Sequence, residues 1–226
     1  MGDKYPCLAA RLVLDGYAVA SVNYRLSQDA PFPAQIEDCK AAVRWLRAHA
    51  AENAIDPQRF AAWGSSAGGH LVALLGTTGK TKTFDVGNFL AVSSSVQVVV
   101  NFFGPSDLLS MGKMGRATGG MDHDSAASPE SQLLGGPVQE RAALARQASP
   151  TTHVQAGAPP FLIVHGDADP VVALGQSKLL DEKLRAAGNS SVLYVVKGGG
   201  HGLRFGPDVT KTVNDFLRTH LHPATK

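Results

Sequence analysis

The chain has 226 residues, of which 44% are hydrophobic and 18% charged, and its formal net charge is +2 at neutral pH. This composition is typical of globular proteins, and a chain of this length can bury a sizeable core in one domain. We therefore expect a single domain over residues 1–226. The small charge and the absence of a Lys/Arg block argue against a nucleic-acid partner. No apolar run reaches the roughly 18 residues of a membrane span, so no membrane partner is expected.

The N-terminal residues 1–6 lack the charged and apolar regions of a signal peptide. This predicts a cytoplasmic location for the chain as it stands, or secretion if an upstream segment has been lost. The two cysteines, Cys7 and Cys39, lie in apolar segments that look helical. We expect both to be buried free thiols.

Strand-like and helix-like segments alternate along the chain, which predicts an α/β fold with a mainly parallel sheet and helices on both faces. The predicted helices cover about 4–14, 34–50, a segment starting at 69, 174–187 and 208–221. The predicted strands cover 17–24, 59–63, 96–103, 161–164 and 192–196. Residues of about 106–148 form an excursion between strands, either a plain surface loop or a lid-like, substrate-binding segment.

The sequence Gly64-Ser65-Ser66-Ala67-Gly68 matches the pattern G-x-S-x-G. The pattern is weak alone, but here it follows an apolar strand and opens a helix, as a nucleophile elbow does. We expect the sharp turn to require glycine on both sides of Ser66. The arrangement predicts Ser66 as a nucleophile and the backbone N–H of Ala67 as an oxyanion donor.

A serine nucleophile needs a base, and His201 is the best candidate of eight histidines because a Gly-rich turn after a strand can carry it over the strand ends. His165 is predicted to be a structural hydrogen-bonding residue near the site, and His70 to be packed. The remaining candidates are expected at surface or loop positions: His49, His153, His220 and His222.

The imidazole in turn needs an acid, and two aspartates follow the strand at 161–164. Asp169 is favoured, because Asp167 falls in the turn itself, where its carboxylate more plausibly caps backbone N–H groups. The resulting order of Ser66, Asp169 and His201 is the order of the α/β-hydrolase fold.

Asp122-His123-Asp124 could in principle bind a metal ion. No second group of ligands with metal-binding spacing accompanies it, so a solvated loop is the better interpretation. We expect no metal and no cofactor.

Five stretches of the sequence resemble a known family. They are GYAVASVNYRLS, APFPAQIEDCKAAVRWLRAHA, DPQRFAAWGSSAGGHLVALLG, PPFLIVHGDADPVV and GGGHG. The chain resembles α/β-hydrolase esterases of the hormone-sensitive-lipase-like and acetyl-xylan/feruloyl-esterase-like groups. The resemblance implies a carboxylic ester hydrolase that forms an acyl-enzyme on Ser66, with Asp169 and His201 completing the triad and Ala67 contributing to the oxyanion hole. Its substrate would be a small-molecule or carbohydrate ester, with acetyl or feruloyl groups as candidates.

The resemblance fails upstream of the first helix, where such enzymes carry an HGGG-type oxyanion loop and the first strands of the sheet. This chain has neither, and Gly2-Asp3-Lys4 looks like the tail of that loop. Only the Ala67 N–H is then assured as a donor, which predicts a slow esterase that favours activated aryl esters. An unpaired edge at the strand 17–24 would also favour self-association.

Two other functions remain open from the sequence. One is a different hydrolase on the same fold, either an acyl-peptide-releasing peptidase or an arylformamidase. The other is a catalytically impaired member of the fold that acts as a binding protein. An intact triad argues against the second, since a silent site has no physical need of all three residues.

Overall fold

The computed structural model describes residues 12–203 and 205–221. Within them, four parallel strands form one sheet in the order β1-β2-β3-β4. Each strand lies next to its sequence neighbour, so helical connections carry the chain back between strands. The bounds are β1 Ala61–Ser65, β2 Val98–Phe102, β3 Phe161–Gly166 and β4 Ser191–Val196.

Helices flank the sheet, as the alternation of segments predicts. Most lie close to their expected positions, and Leu12–Leu14 is the described end of the predicted first helix. The rest of that helix lies outside the described residues. The described helices are α1 Ala34–Ala48, α2 Ala67–Thr78, α3 Leu108–Ala117, α4 Pro129–Leu134, α5 Ala142–Ala148, α6 Leu174–Ala186 and α7 Pro207–Leu221, with a 3₁₀ turn at Pro150–Thr152.

Strands β2 and β3 are buried on both faces, which explains their continuous apolar sequences. Phe161 and Ile163 of β3 pack into one core cluster, which also contains Leu74 and Leu180. The alternate residues of β3 pack into a second cluster on the opposite face, together with Val213 of α7. The α/β fold with a parallel sheet is thus confirmed. Strand β1 starts at Ala61, two residues later than the strand predicted at 59–63.

The predicted strand at 17–24 is wrong. The described structure assigns no strand to these residues. Within the described sheet, β1 is the edge strand and pairs only with β2. A strand exists only through backbone hydrogen bonds to a neighbour, and β-forming side chains do not replace such a neighbour. Val19 and Val22 are accordingly 46% and 38% exposed.

The excursion at 106–148 contains α3, α4 and α5 and contributes buried apolar side chains to the first core cluster. Leu108, Met111 and Ala145 are among them. The segment is therefore packed against the sheet domain as well as connecting β2 to β3. Its lid-like role and the single-domain boundaries stay predictions.

Two further expectations concern Cys39 and membrane insertion. Cys39 is a free thiol as expected but only partly buried, and its burial, together with the charge of Asp38, raises the pKa of the thiol to about 12. Cys7 lies outside the described residues. Among the helices of the described part, none has the length and apolar content needed to cross a bilayer.

Candidate active site

Ser66 lies in a strained turn between β1 and α2. Its backbone has φ 54° and ψ −120°, a conformation that non-glycine residues adopt only when the surrounding structure enforces it. A Cβ at Gly64 would lie 2.2 Å from the carbonyl oxygen of Gly68, and one at Gly69 would lie 2.6 Å from Asn101 Oδ1. Both positions therefore require glycine. Gly68 has open space around its Cβ position, so the expected need for glycine on both sides of the serine is wrong for Gly68.

The structure brings Ser66, His201 and Asp169 into one hydrogen-bonded line. His201 Nε2 lies 2.9 Å from Ser66 Oγ, and His201 Nδ1 lies 2.7 Å from Asp169 Oδ2. Because a carboxylate only accepts hydrogen bonds, Nδ1 carries the proton and Nε2 is free to accept the serine proton. This is the geometry in which an imidazole acts as a general base toward a serine hydroxyl.

The three side chains meet because their parent strands are parallel. Ser66 follows β1, Asp169 follows β3 and His201 follows β4, so all three lie beyond the carboxyl ends of the strands. Ligands of open α/β sheets bind at that edge. The carboxylate of Asp167 turns elsewhere and accepts the backbone N–H of Gly198 at 2.5 Å, as the capping interpretation predicted.

The Asp169 carboxylate is fully buried, whereas the His201 side chain is 19% exposed. Burial alone would raise the pKa of Asp169, but hydrogen bonds to its carboxylate outweigh this effect and lower the pKa well below its ordinary value. The donors are His165, His201 and the backbone amides of Val172 and Val171. Asp169 is therefore ionised at neutral pH and can stabilise an imidazolium.

Ala67 is the first residue of α2 and is exposed. The first N–H groups of a helix have no carbonyl partner one turn earlier, and the helix dipole adds positive potential there. The Ala67 N–H follows Ser66 directly, and its role as an oxyanion donor stays a prediction.

Phe103 is a site residue that the sequence analysis missed. Its ring centroid lies 4.5 Å from that of His201, and its own backbone has φ 42°. The side chain is buried and also contacts Phe205. Phe103 thus forms an apolar wall against the imidazole. The only available signal was its place at the end of β2, next to the expected strand-end site.

The other histidines divide into packed and partly exposed positions. His70 is buried and its Nε2 lies 2.6 Å from the carbonyl oxygen of Ala148, as the packing prediction requires. His165 is fully buried beside Asp169, with Nε2 at 2.8 Å from Val172 O, which agrees with a structural role near the site. His49, His153 and His220 are partly exposed, and His222 lies outside the described residues.

The prediction of a solvated loop at 122–124 is wrong for His123, which is 1% exposed. Its imidazole is buried because Glu130 and the Val171 carbonyl both accept hydrogen bonds from it. Within the described residues, no group of three or more His, Cys, Asp or Glu side chains has the arrangement of a metal site.

A cavity of about 150 Å³ lies beside the nucleophile elbow, and Ala67 and Leu71 of α2 form part of its wall. Leu108 and Leu133 from the excursion add apolar lining, and the polar side chains that also face the cavity are Ser27, Gln35, His70 and Glu130. A volume of this order accommodates a small apolar group.

Curated relatives align with most of this chain. Esterase LipQ of Mycobacterium tuberculosis is 31% identical over 200 residues, which cover 88% of this chain and 45% of LipQ. The chain thus spans less than half the length of the first curated relatives it matches.

Solved structures show the same similarity. A structure described as a truncated form of a carbohydrate esterase from gut microbiota superposes with a TM-score of 0.86 at 36% identity, covering 94% of this chain and 77% of that one. Esterase Est2 of the planctomycete Thermogutta terrifontis, solved with butyrate bound, superposes with a TM-score of 0.69 at 29% identity, covering 90% of this chain and 73% of that one. A family profile named BD-FAE matches residues 2–184. The chain belongs to the BD-FAE family of α/β-hydrolase-fold esterases.

Proposed function

We propose that this protein is a serine esterase that hydrolyses short-chain carboxylic esters through an acyl-enzyme on Ser66. The observation that carries the proposal is the unbroken line of hydrogen bonds from Asp169 through His201 to Ser66 Oγ. Membership of an esterase family supports it. No cofactor is needed for this chemistry.

The geometry defines how each residue would act. Ser66 Oγ attacks the ester carbonyl carbon while its proton passes to His201 Nε2, and Asp169 stabilises the resulting imidazolium. The negative charge on the tetrahedral oxygen is stabilised by the Ala67 N–H. When the intermediate collapses, His201 gives its proton to the departing alcohol, and the acyl group remains on Ser66. A water molecule, deprotonated by His201, then releases the carboxylic acid and restores the serine.

The size and lining of the cavity support a small acyl group. Its volume of about 150 Å³ and its apolar wall suit acetyl to butyryl chains. The butyrate bound to the similar esterase Est2 agrees with this range, and the similar carbohydrate esterase supports a carbohydrate alcohol. We extend the proposal to acetyl esters of carbohydrates, which fit this range, as natural substrates. Feruloyl esters are the alternative, and their larger aromatic acyl group would have to extend beyond this cavity.

The test measures turnover of p-nitrophenyl acetate together with labelling by a fluorophosphonate probe. Ser66→Ala should lower turnover by on the order of 10³-fold or more and abolish labelling, because the triad acts as a unit. Ser65→Ala is the matched control, since it removes a neighbouring hydroxyl that lies outside the hydrogen-bonded line. If Ser66→Ala keeps near-parental turnover, the assignment of the nucleophile is wrong.

A further inference from the structure

The turn that carries Asp169 is held in place by hydrogen bonds from other parts of the chain. Asp169 Oδ1 accepts the backbone N–H groups of Val171 and Val172 at 2.8 and 2.9 Å, while Oδ2 faces His201 at 2.7 Å and His165 at 3.4 Å. The orientation of the carboxylate therefore depends on where the peptide groups that join residue 170 to 171 and residue 171 to 172 lie.

Two buried histidines contact carbonyl oxygens of this turn, and one of these carbonyls, that of Val171, belongs to the peptide group that carries the Val172 N–H. His165 Nε2 lies 2.8 Å from Val172 O, and His123 Nε2 lies 2.8 Å from Val171 O. His165 comes from β3 itself, whereas His123 comes from the excursion at 106–148. The excursion makes a second contact one residue earlier, where the backbone N–H of Met121 donates to Pro170 O at 3.3 Å.

The imidazole of His123 is held on both sides by acceptors. Its Nδ1 lies 2.9 Å from Glu130 Oε2, and its Nε2 faces a carbonyl oxygen. The doubly protonated imidazolium can donate to both of these oxygens. Burial disfavours that charge, but the hydrogen bond and the charge of Glu130, with a smaller contribution from Asp124, raise the pKa of His123 above its ordinary value.

From this geometry we propose that His123, supported by Glu130, is a positioning residue for the acid of the triad. Its imidazole holds the Val171 carbonyl, and the Val172 N–H of the same peptide group in turn holds the Asp169 carboxylate in line with His201. The inference rests on the proposed function for its kinetic meaning. It also gives the excursion a defined task, since that segment supplies both His123 and Glu130.

Two conservative variants separate positioning from simple stability. In His123→Gln the side-chain amide nitrogen takes roughly the place of Nε2 and keeps the contact to Val171. In His123→Asn it takes roughly the place of Nδ1 and keeps only the contact to Glu130. Both variants lose the imidazolium charge and one hydrogen bond, so their melting temperatures should fall by similar amounts.

Their kinetics should differ. We expect His123→Asn to lower kcat by about tenfold or more with little change in KM. The lost interaction positions Asp169, whose charge matters most once the His201 imidazolium forms during the reaction. His123→Gln should stay within about threefold of the parent. His153→Gln is the control for loss of an imidazole that contacts a carbonyl elsewhere, since His153 Nε2 lies 2.7 Å from Gln147 O.

A double-mutant cycle with Asp169→Asn supplies the decisive readout. If His123 acts through Asp169, His123→Asn should lower kcat by less than about twofold when Asp169 has already been replaced by Asn. Equal fold-losses in both backgrounds, or equal losses for His123→Asn and His123→Gln, would overturn the proposal.

A measurement without turnover keeps this inference separate from the proposed function. The proton shared by His201 Nδ1 and Asp169 gives a far-downfield NMR resonance when the hydrogen bond is intact. That resonance should persist in His123→Gln and broaden or shift in His123→Asn. An unchanged resonance in both variants would reject the positioning role even if the parent protein showed no esterase activity.

Discussion

Asp167 and Asp169 stand two residues apart after the same strand, yet their carboxylates have different partners. Asp167 accepts a hydrogen bond from the backbone N–H of Gly198, whereas Asp169 accepts one from His201 Nδ1. The spacing of the residues around the turn decides this difference, since the two side chains leave the chain in different directions. Their substitution should therefore have different consequences.

Replacing Asp169 by Asn should preserve the fold but lower kcat by on the order of 10⁴-fold at neutral pH, because the amide favours the wrong imidazole tautomer. Asp167→Asn should leave kcat nearly unchanged and lower the free energy of unfolding by about 1 kcal/mol, through a weaker bond to Gly198. Steady-state kinetics and urea unfolding of both variants check this. A larger kinetic loss for Asp167→Asn would transfer the acid role to that residue.

At this scale the sequence predicts the residues that the G-x-S-x-G pattern and the strand ends define. Ser66, Asp169 and His201 lie together as the pattern requires. It does not predict His123, because the burial of that side chain depends on a carboxylate seven residues later and on a carbonyl 48 residues away. Such partners are invisible until the excursion is placed against the turn.

Among the elements, the turn from β1 to α2 shows how backbone contact restricts sequence. Gly64 and Gly69 face neighbouring atoms at distances that exclude a Cβ, but Gly68 does not. The G-x-S-x-G pattern thus contains one glycine, Gly68, that the contacts around it do not require.

Substitution by alanine should separate these positions. Gly64→Ala should unfold the protein or lower its free energy of unfolding by about 3 kcal/mol or more, because the new Cβ would overlap the Gly68 carbonyl, which is backbone and cannot move aside. Gly68→Ala should be neutral or slightly stabilising, since alanine favours the helix by roughly 0.5–1 kcal/mol over glycine. Thermal melting measures both. A Gly68→Ala variant as unstable as Gly64→Ala would contradict the role assigned to these contacts.

The prediction of a strand at 17–24 is wrong because of what a strand needs around it, not because of its own residues. Its sequence, YAVASVNY, has strong β-forming character. A strand nevertheless needs a partner, and the described sheet runs from β1 to β4 without including these residues. The internal strands were predictable because each is buried on both faces and bounded by turns.

Over the whole molecule, the long irregular connection between α2 and β2 is held by basic side chains of α1. Lys40, Arg44 and Arg47 recur along that helix and hydrogen-bond to backbone carbonyls of the connection. Lys40 and Arg44 are fully buried, and both also bind Asp85 at 3.0 and 2.9 Å. Lysine and arginine are seldom fully buried unless carboxylates or carbonyls surround them, as Asp85 and the carbonyls of the connection do here.

Asp85 is the counter-charge for this arrangement, and its removal should weaken the fold. Burial opposes its ionisation, but the hydrogen bond and charge of Lys40, with Ser94 and Arg44, outweigh burial and hold the pKa of Asp85 below its ordinary value. Asp85→Asn would leave two buried cations without compensation, which typically costs about 3–5 kcal/mol. The exposed Asp56, paired with Arg59, offers a matched control, and Asp56→Asn should change stability little.

The pH dependence of this loss follows from the direction of the pKa shift. A carboxylate with a lowered pKa in the folded state contributes stability above its unfolded pKa of about 4, and the contribution is lost as the pH falls further. Urea unfolding should therefore show the largest difference between the parent and Asp85→Asn at pH 6–7, and a smaller difference as the pH approaches about 2. A difference that stays constant over this range, or that equals the effect of Asp56→Asn, would show that the buried cations do not depend on the charge of Asp85.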